Sequence, residues 1–145
     1  MDYEIRPATT DDLSALADIF QTNMNEEPYS YDVTEDIATE VIDAALKYET
    51  VLLATTNDEI IGYVSASPYS WVQGTHVWMS ELHVRVDVQG EGIGTALLEA
   101  LESHFHNQGI KHIEFTVRED CPATQFYEKH GYERAPYVMY RKTIE

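Results

Sequence analysis

Several features that would mark a particular class of protein are scarce or missing in this chain. It has one cysteine, Cys121, in 145 residues, which excludes an internal disulfide framework and a cysteine-rich zinc site. No apolar run approaches the roughly 20 residues of a membrane-spanning helix. The acidic start, residues 1–4, lacks the basic and apolar regions of a signal peptide. We therefore expect a cytoplasmic protein with no membrane partner.

Positive charge is also scarce. Nine lysine and arginine residues stand against 26 aspartate and glutamate residues, which gives a formal net charge of −17. Such a chain repels nucleic acid and attracts cationic solutes, so no nucleic-acid partner is expected. The acidic residues are scattered along the chain, and two explanations stay open: steering of a polycationic substrate, or a solvated surface suited to solubility or a salty environment.

Length and patterning indicate one globular α/β domain over residues 1–145. Hydrophobic residues make up 43% of the chain, which is typical of a folded core. Strands are predicted over residues 3–6, 51–55, 60–67, 75–86, 111–117, 132–134 and 137–142. Helices are predicted after a Thr9 or Thr10 cap, after a Thr34 cap, and over residues 92–107 and 124–130, with a loop over residues 21–33. The resulting order, βααβββαβαββ, favours a three-layer α/β fold with a mixed, mostly antiparallel central sheet and helices on both faces.

The most informative segment is Q-G-E-G-I-G-T-A-L-L, residues 89–98, which directly follows the β-rich run 81–86. The three alternating glycines let backbone N–H groups turn inward, and the following helix N-terminus adds unpaired donors. A strand, a glycine turn and a helix in this order predict a phosphate or pyrophosphate site. The spacing G-x-G-x-G departs from the dinucleotide fingerprint, and the lysine of a P-loop is missing.

A second segment, C-P-A-T-Q-F-Y-E-K-H-G-Y at residues 121–132, pairs Phe126 with Tyr127 and places Gly131 four residues after the tyrosine. It resembles the A-x-x-F-Y-x-K-x-G-F/Y segment of the GCN5-related N-acetyltransferase (GNAT) superfamily. Residues 89–94 resemble the R/Q-x-x-G-x-G/A pyrophosphate motif of the same superfamily, and the element order is similar to it over nearly the whole chain. The resemblance implies the acyl-CoA N-acyltransferase fold and transfer of acetyl from acetyl-CoA to a primary amine.

The resemblance also implies where acetyl-CoA would bind. Backbone amides from Gly90 to Thr95 would bind the pyrophosphate. The strand before them, which carries a bulge and splays from its neighbour in the superfamily, would pair with pantetheine. A backbone N–H near Leu82 or His83 would polarise the thioester carbonyl. The implied cofactor-binding residues are Leu82, His83, Val84, Gln89, Gly90, Glu91, Gly92, Ile93, Gly94, Thr95, Ala123, Phe126 and Tyr127.

Two side chains are the implied catalytic groups. Tyr127 would donate a proton to the CoA sulfur as general acid, and Glu81 is the candidate general base. His83 lies two positions further along the strand and shares a face with Glu81, so whether Glu81, His83 or a water takes the proton stays open. No metal is expected, because the histidines are dispersed, and His104 and His106 do not share a helix face.

Two positions depart from the superfamily pattern. Asp120 lies where many relatives carry asparagine, and a carboxylate cannot donate as an amide does, so no cofactor contact is assigned to its side chain. Gln89 replaces the commoner arginine, which removes one positive charge from the phosphate site. The loop amides are then expected to supply more of the binding energy.

The acceptor is expected to contact the loop between the first two helices, residues 25–32, and the later strands. Carboxylates and aromatic faces there suit a cationic amine such as a polyamine or an aminoglycoside, although a mobile lid with ordinary surface residues is an equally open interpretation. A non-catalytic acetyl-CoA sensor, a protein or peptide N-acetyltransferase, and a homodimer paired through residues 137–140 also stay open. The candidate acceptor-binding residues are Glu26, Glu27, Tyr29, Tyr31, Trp78, Glu81 and His83.

Overall fold

Five strands, four α-helices and two short 3-10 helices make up the regular structure, and the computed structural model describes all 145 residues. The chain divides into two units, residues 1–115 and residues 116–145. The first unit contains, in chain order, β1 (Glu4–Pro7), α1 (Leu13–Asn25), α2 (Glu35–Tyr48), β2 (Thr50–Thr56), β3 (Glu59–Trp71), β4 (Gly74–Val84), α3 (Ile93–His106) and β5 (Ile113–Glu114). The second unit contains α4 (Ala123–Lys129).

The five strands form one sheet in the order β1-β2-β3-β4-β5. The first four strands pair antiparallel, and β5 pairs parallel with β4. This confirms the predicted mixed, mostly antiparallel sheet. Asn57 and Asp58 join β2 to β3 with φ angles of 51° and 64°, and two positive φ angles in a two-residue turn are typical of a tight hairpin.

Helices cover both faces of the sheet, as predicted. On one face, buried residues of α1 and α2 pack in a single cluster with Leu53 of β2 and Tyr63 of β3. On the other face, Leu97 of α3 lies against Gly62, where an added Cβ would come within 3.2 Å of the Leu97 side chain and within 2.8 Å of a β4 carbonyl. Neighbouring residues of a strand point to opposite faces, which explains why Gly62 and Tyr63 meet different helices.

Two predicted boundaries in the first unit are wrong. The predicted loop over residues 21–33 begins too early, since α1 continues to Asn25, and Gln21 donates from that last turn to the Val33 carbonyl at 3.1 Å. The predicted strand 60–67 ends too early, because β3 continues through Pro68 to Trp71. The pairing of β2 with β3 does not extend beyond Ala66. At Pro68, β3 therefore pairs only with β4, and proline is tolerated where one edge of a strand is unpaired.

The predicted strands at the end of the chain are also wrong. Residues 132–134 and 137–142 have no regular secondary structure, and β5 covers two residues where a strand over 111–117 is predicted. Aromatic and β-branched residues favour extended backbone there, but a strand needs a hydrogen-bonded neighbour. Residues 116–145 contain no paired strand that could supply one. None of the helices combines the length and apolarity needed to cross a lipid bilayer.

Candidate active site

Strand β4 has an irregular middle and a partly unpaired edge. Its register with β3 pairs Glu81 with Ser65 but Met79 with Ala66, so Ser80 is an extra residue and forms a β-bulge. On the opposite edge, β5 pairs with β4 only at Val77 and Trp78. Residues 79–84 therefore have an edge that β5 leaves unpaired, and an extended ligand can add to such an edge.

The direction of the backbone groups along β4 follows from one hydrogen bond. Arg85 N–H donates to the Ile61 carbonyl at 2.8 Å. Hydrogen-bonded pairs alternate along an antiparallel ladder, so the backbone of His83 also faces β3, whereas the backbone groups of Leu82 and Val84 face the other edge. Of the two amides expected near the thioester, alternation thus favours Leu82.

The Val84 carbonyl has the orientation that this alternation requires. It accepts from Asn23 Nδ2 of α1 at 3.0 Å and from Gln89 Nε2 at 3.1 Å. Because the Gln89 side chain turns back to the end of β4, it fixes the start of the glycine turn. This hydrogen bond occupies the side-chain amide of Gln89 at the end of β4.

Glu81 and His83 are hydrogen-bonded to each other. His83 Nε2 lies 2.7 Å from Glu81 Oε2, as the shared strand face predicts. The imidazole is 6% exposed, with Phe20 edge-on at a centroid distance of 5.6 Å and Tyr63 at 5.5 Å. A buried imidazole between aromatic rings has one orientation, so the pair presents its carboxylate in a fixed direction.

Asn23 determines which nitrogen of His83 carries the proton. Its side-chain atom that contacts the Val84 carbonyl is an amide nitrogen, because a carbonyl only accepts. The same nitrogen lies 3.3 Å from His83 Nδ1 and donates to it. His83 Nδ1 is then the acceptor, and Nε2–H donates to the Glu81 carboxylate. Sequence reasoning missed Asn23, because the contact joins residues 60 positions apart and no local pattern signals it.

A second carboxylate lies on the same side of the sheet. Glu49, the residue after α2, accepts from Ser80 Oγ of the bulge at 2.6 Å. Tyr63 is fully buried and its hydroxyl has no hydrogen-bond partner. Burial raises the pKa of Tyr63 well above its ordinary value, and the charges of Glu81 and then Glu49 raise it further. Neither Glu49 nor Tyr63 was singled out from the sequence.

The glycine turn leads into an uncapped helix. Gly90 and Gly92 each have a φ of 84°, and a Cβ added at either would meet nothing within 4 Å. Gly92 is the N-cap of α3, no side chain caps the helix, and its first hydrogen bond runs from Ala96 N–H to the Gly92 carbonyl. The amides of Ile93 and Gly94 precede that bond, and amides at such a position can donate to an anion. Glu91 and Thr95 are the other residues of this turn that are predicted from the sequence to bind the cofactor.

The second unit contains the predicted aromatic motif. Helix α4 begins at Ala123, and the Phe126 and Tyr127 rings lie edge to face at 5.2 Å. Tyr127 also contacts the Tyr132 ring at 5.9 Å, and His130 Nδ1 lies 2.8 Å from the Phe126 carbonyl. The motif therefore forms a small aromatic cluster whose spacing follows from one helical turn and the glycine after it.

The loop proposed for the acceptor is tied down at its base. Asn25 Oδ1 accepts from Val33 N–H at 2.7 Å, and Asn25 Nδ2 donates to the Val33 carbonyl at 3.0 Å. Between these residues, Glu26, Glu27 and Tyr31 are exposed and Tyr29 is half-buried. The carboxylates and aromatic rings of this loop are thus held by α1 and presented to solvent.

Trp78 belongs to the same face of the sheet as Glu81. It pairs with Ser67, which lies two residues from Ser65 on β3, and alternate residues share a face. Its side chain is exposed. An exposed tryptophan beside a carboxylate can bind a cation through its ring face.

The histidines are less dispersed than predicted. His76 Nδ1 lies 2.6 Å from Glu114 Oε1, Tyr69 donates to the same carboxylate, and the His76 and His112 rings are 4.7 Å apart. The Tyr69 and His76 hydrogen bonds lower the pKa of Glu114. Strand pairing brings these residues together, which spacing along the chain did not reveal. No group of three or more histidine, cysteine, aspartate or glutamate side chains is arranged to hold a metal ion.

Comparison with known proteins shows the family to which the chain belongs. A model of the acetyltransferase (GNAT) family matches residues 13–132. The chain belongs to the GNAT acetyltransferase family. Members of this family use acetyl-CoA as co-substrate, and the match includes both the glycine turn and the Phe126-Tyr127 segment. No curated protein sequence matches the chain significantly.

Solved structures share the GNAT fold at low identity. A possible acetyltransferase from Clostridium difficile 630 has a TM-score of 0.87 at 19% identity, covering 99% of this chain and 98% of that one. A GCN5-related N-acetyltransferase from Ralstonia eutropha JMP134 has a TM-score of 0.80 at 18% identity, covering 97% and 99%. An aminoglycoside acetyltransferase from an uncultured soil metagenomic sample, in complex with sisomicin, has a TM-score of 0.76 at 16% identity, covering 99% and 97%.

Proposed function

We propose that this chain transfers the acetyl group of acetyl-CoA to the primary amine of a small cationic acceptor. The observation that carries the proposal is the hydrogen-bonded pair of Glu81 and His83, with Leu82 between them on β4. Glu81 supplies a proton acceptor, and the backbone of Leu82 faces the edge that β5 leaves unpaired. An acetyltransferase needs both groups at the reacting carbonyl.

The chain's own groups fit acetyl-CoA as a substrate. The positive φ angles of Gly90 and Gly92, the open space above them and the uncapped amides of Ile93 and Gly94 suit a pyrophosphate. The unpaired edge of β4 suits the amides of pantetheine, which can add to it as a strand would. These observations support the roles that the family motif assigns to the turn.

The chemistry then needs three proton transfers and one polarised carbonyl. Glu81 accepts a proton from the acceptor ammonium, which leaves a lone pair to form the new C–N bond. Leu82 N–H donates to the carbonyl oxygen as that oxygen gains charge. The C–S bond breaks, the second amine proton goes to solvent, and the thiolate takes a proton from Tyr127, a role that rests on the Phe126-Tyr127 motif alone. The site works mainly by positioning.

Charge supports a cationic acceptor. The exposed carboxylates of Glu26 and Glu27, together with Glu49 and Glu81, attract ammonium groups. The structural neighbour solved with sisomicin, an aminoglycoside, is consistent with an amine acceptor. Its identity of 16% limits that support to the class of acceptor.

The proposal is tested by measuring thiol release from acetyl-CoA over a set of amines that includes polyamines, aminoglycosides, amino acids and peptides. We expect release that depends on at least one small cationic amine. Tyr127→Phe is expected to lower kcat by about 10-fold or more, with little change in CoA binding. Saturable CoA binding without turnover on any amine would contradict the proposal and favour a sensor, and turnover only on peptides would favour a protein N-acetyltransferase.

A further inference from the structure

We propose that Glu49, Tyr63 and Glu81 form a niche for the ammonium groups of a diamine or polyamine, in which Glu49 selects acceptors that carry a second positive charge. The inference rests on the proposed transfer of acetyl to an amine and names the acceptor class. These three residues are called the ammonium niche.

The register of the sheet places the members of the ammonium niche on one face. Tyr63 and Ser65 of β3 lie directly opposite His83 and Glu81 of β4, and directly opposed residues share a face. The bulge residue Ser80 next to Glu81 donates to Glu49 at 2.6 Å. The bulge thus brings a carboxylate from the end of α2 beside a carboxylate from β4.

The end of α2 adds to the attraction for a cation. Glu49 is the C-cap of α2, and its N–H donates to the Ala45 carbonyl. Carbonyl groups at a helix C-terminus carry partial negative charge. The Glu49 side chain forms no ion pair with any lysine or arginine, and its one hydrogen-bonding partner is the neutral Ser80. Its negative charge is therefore left for a ligand to neutralise.

Two buried hydroxyl groups in this region lack partners. Tyr63 is fully buried and Ser65 is 1% exposed, and neither hydroxyl oxygen makes a hydrogen bond. Unpaired buried polar groups cost free energy, so each one calls for an explanation. The ammonium groups of a diamine supply N–H donors for a hydroxyl oxygen and one positive charge for each of the two carboxylates. A neutral or anionic ligand would leave the carboxylates unneutralised.

The preference for an acceptor with a second positive charge follows from the different roles of Glu49 and Glu81. Glu81 is held by His83 and takes a proton from the reacting amine, so it loses its negative charge during the reaction. Glu49 has no hydrogen bond to His83 and keeps its charge throughout. A monoamine satisfies Glu81 alone, whereas a diamine also neutralises Glu49. We therefore expect diamines to be preferred over monoamines of the same chain length.

Kinetics with matched amines test the inference. The ratio of kcat/KM for 1,4-diaminobutane to that for butylamine is measured in the wild type, in Glu49→Gln and in Glu99→Gln. Glu99 is an exposed acid on α3, so its replacement removes the same charge on the other side of the sheet. We expect the ratio to fall about 10-fold in Glu49→Gln, as loss of one charge-assisted contact implies, and to hold in Glu99→Gln. An equal ratio in all three proteins would overturn the niche.

Calorimetry separates this inference from the proposed function. Binding of 1,4-diaminobutane to the CoA-saturated protein is expected to weaken about 10-fold in Glu49→Gln and several-fold in Tyr63→Phe, with thermal melts to show that both variants fold. Equal binding in wild type and Glu49→Gln would overturn the niche even if the enzyme is active. Selective diamine binding without turnover on any amine would overturn the proposed function and leave the niche in place.

Discussion

Asn23 shows how much a single side chain contributes to this site. Its amide nitrogen donates both to the Val84 carbonyl and to His83 Nδ1. The first contact fixes the orientation of the amide, and the second fixes the tautomer of the imidazole. Glu81 therefore receives an N–H donor from His83 Nε2, which holds its carboxylate for the proposed proton transfer.

Without the Asn23 amide, His83 should be able to adopt either neutral tautomer. We expect Asn23→Ala to populate both neutral tautomers of His83 and to lower kcat about 10-fold with little change in the KM for acetyl-CoA, since an oriented base contributes roughly 10²-fold or more. Nitrogen chemical shifts of the imidazole measured by NMR report the tautomer directly. The control is Asn107→Ala, at the exposed end of α3, and an unchanged Nε2–H tautomer in Asn23→Ala would contradict this role.

The site could be predicted from sequence only where its members are close in the chain. Glu81 and His83 lie two apart on a strand, and the period-2 rule placed them on one face. Asn23, Glu49 and Tyr63 reach the same region through helix packing and strand register. Such contacts depend on the tertiary fold, and the sequence around each of these residues has no pattern that distinguishes it.

At the scale of elements, both ends of α3 have a backbone conformation that favours glycine. Gly92 has a φ of 84° at the N-cap, and Gly109 has a φ of 81° just beyond the other end of the helix. A Cβ added at either position meets nothing within 4 Å. The cost of a side chain at both positions is thus backbone strain, about 1–2 kcal/mol for an L-residue in the left-handed region.

The two glycines give a matched pair of variants. Gly92→Ala and Gly109→Ala are each expected to lower the free energy of unfolding by about 1–2 kcal/mol, measured by urea denaturation. Only Gly92→Ala should also weaken CoA binding, because it alone shifts the amides that precede the first helical hydrogen bond. Equal CoA affinity in the two variants would show that the turn does not bind the cofactor.

The start of α1 depends on an ion pair that responds to acid. Arg6 donates to both carboxylate oxygens of Asp12 at 2.9 and 3.0 Å, and Thr9 N–H donates to Asp12 at 2.8 Å. The Arg6 hydrogen bonds hold the pKa of Asp12 below its usual value of 3.8. A lowered pKa in the folded state stabilises the protein above the unfolded-state pKa, and this contribution is lost as the pH falls through the folded-state value.

Replacement of Asp12 should therefore lower the free energy of unfolding at neutral pH but not in strong acid. We expect Asp12→Asn to lower the free energy of unfolding by about 1–2 kcal/mol at neutral pH. The difference from wild type should shrink towards zero as the pH falls through the lowered pKa of Asp12. Urea denaturation at several pH values measures it, with Asp18→Asn on the exposed side of α1 as control. A difference that does not change with pH would refute this role of the ion pair.

Local signals predicted some elements well and others poorly. The β2–β3 hairpin was predicted because the Asn57-Asp58 turn lies between two strand-like segments. The predicted Thr34 cap also accepts a hydrogen bond from Ile37 N–H, as expected. The terminal strands were not predicted correctly, since residues 137–142 have strand-like composition but no partner within residues 116–145. Strand formation is a property of two segments, so composition alone cannot establish it.

At the scale of the whole molecule, the net charge of −17 has two explanations that differ in the salt dependence they predict. If the acidic surface steers a cationic acceptor, salt should slow its capture, because screening shortens the reach of charge from about 10 Å at 0.1 M to about 3 Å at 1 M. We expect kcat/KM for a diamine to fall several-fold more than that for a monoamine over this range. Equal salt dependence would favour a surface adapted only for solvation.

The most direct test of the proposed catalysis is the rate of amine-dependent thiol release by wild type and by Glu81→Gln, with acetyl-CoA binding measured on the same samples. Glutamine keeps the shape of the side chain and cannot take the amine proton. We predict a fall in kcat of about 100-fold or more, with acetyl-CoA affinity unchanged and the GNAT fold intact by thermal melt. Equal rates in the two proteins would contradict the role of Glu81 and His83 on which the proposed function depends.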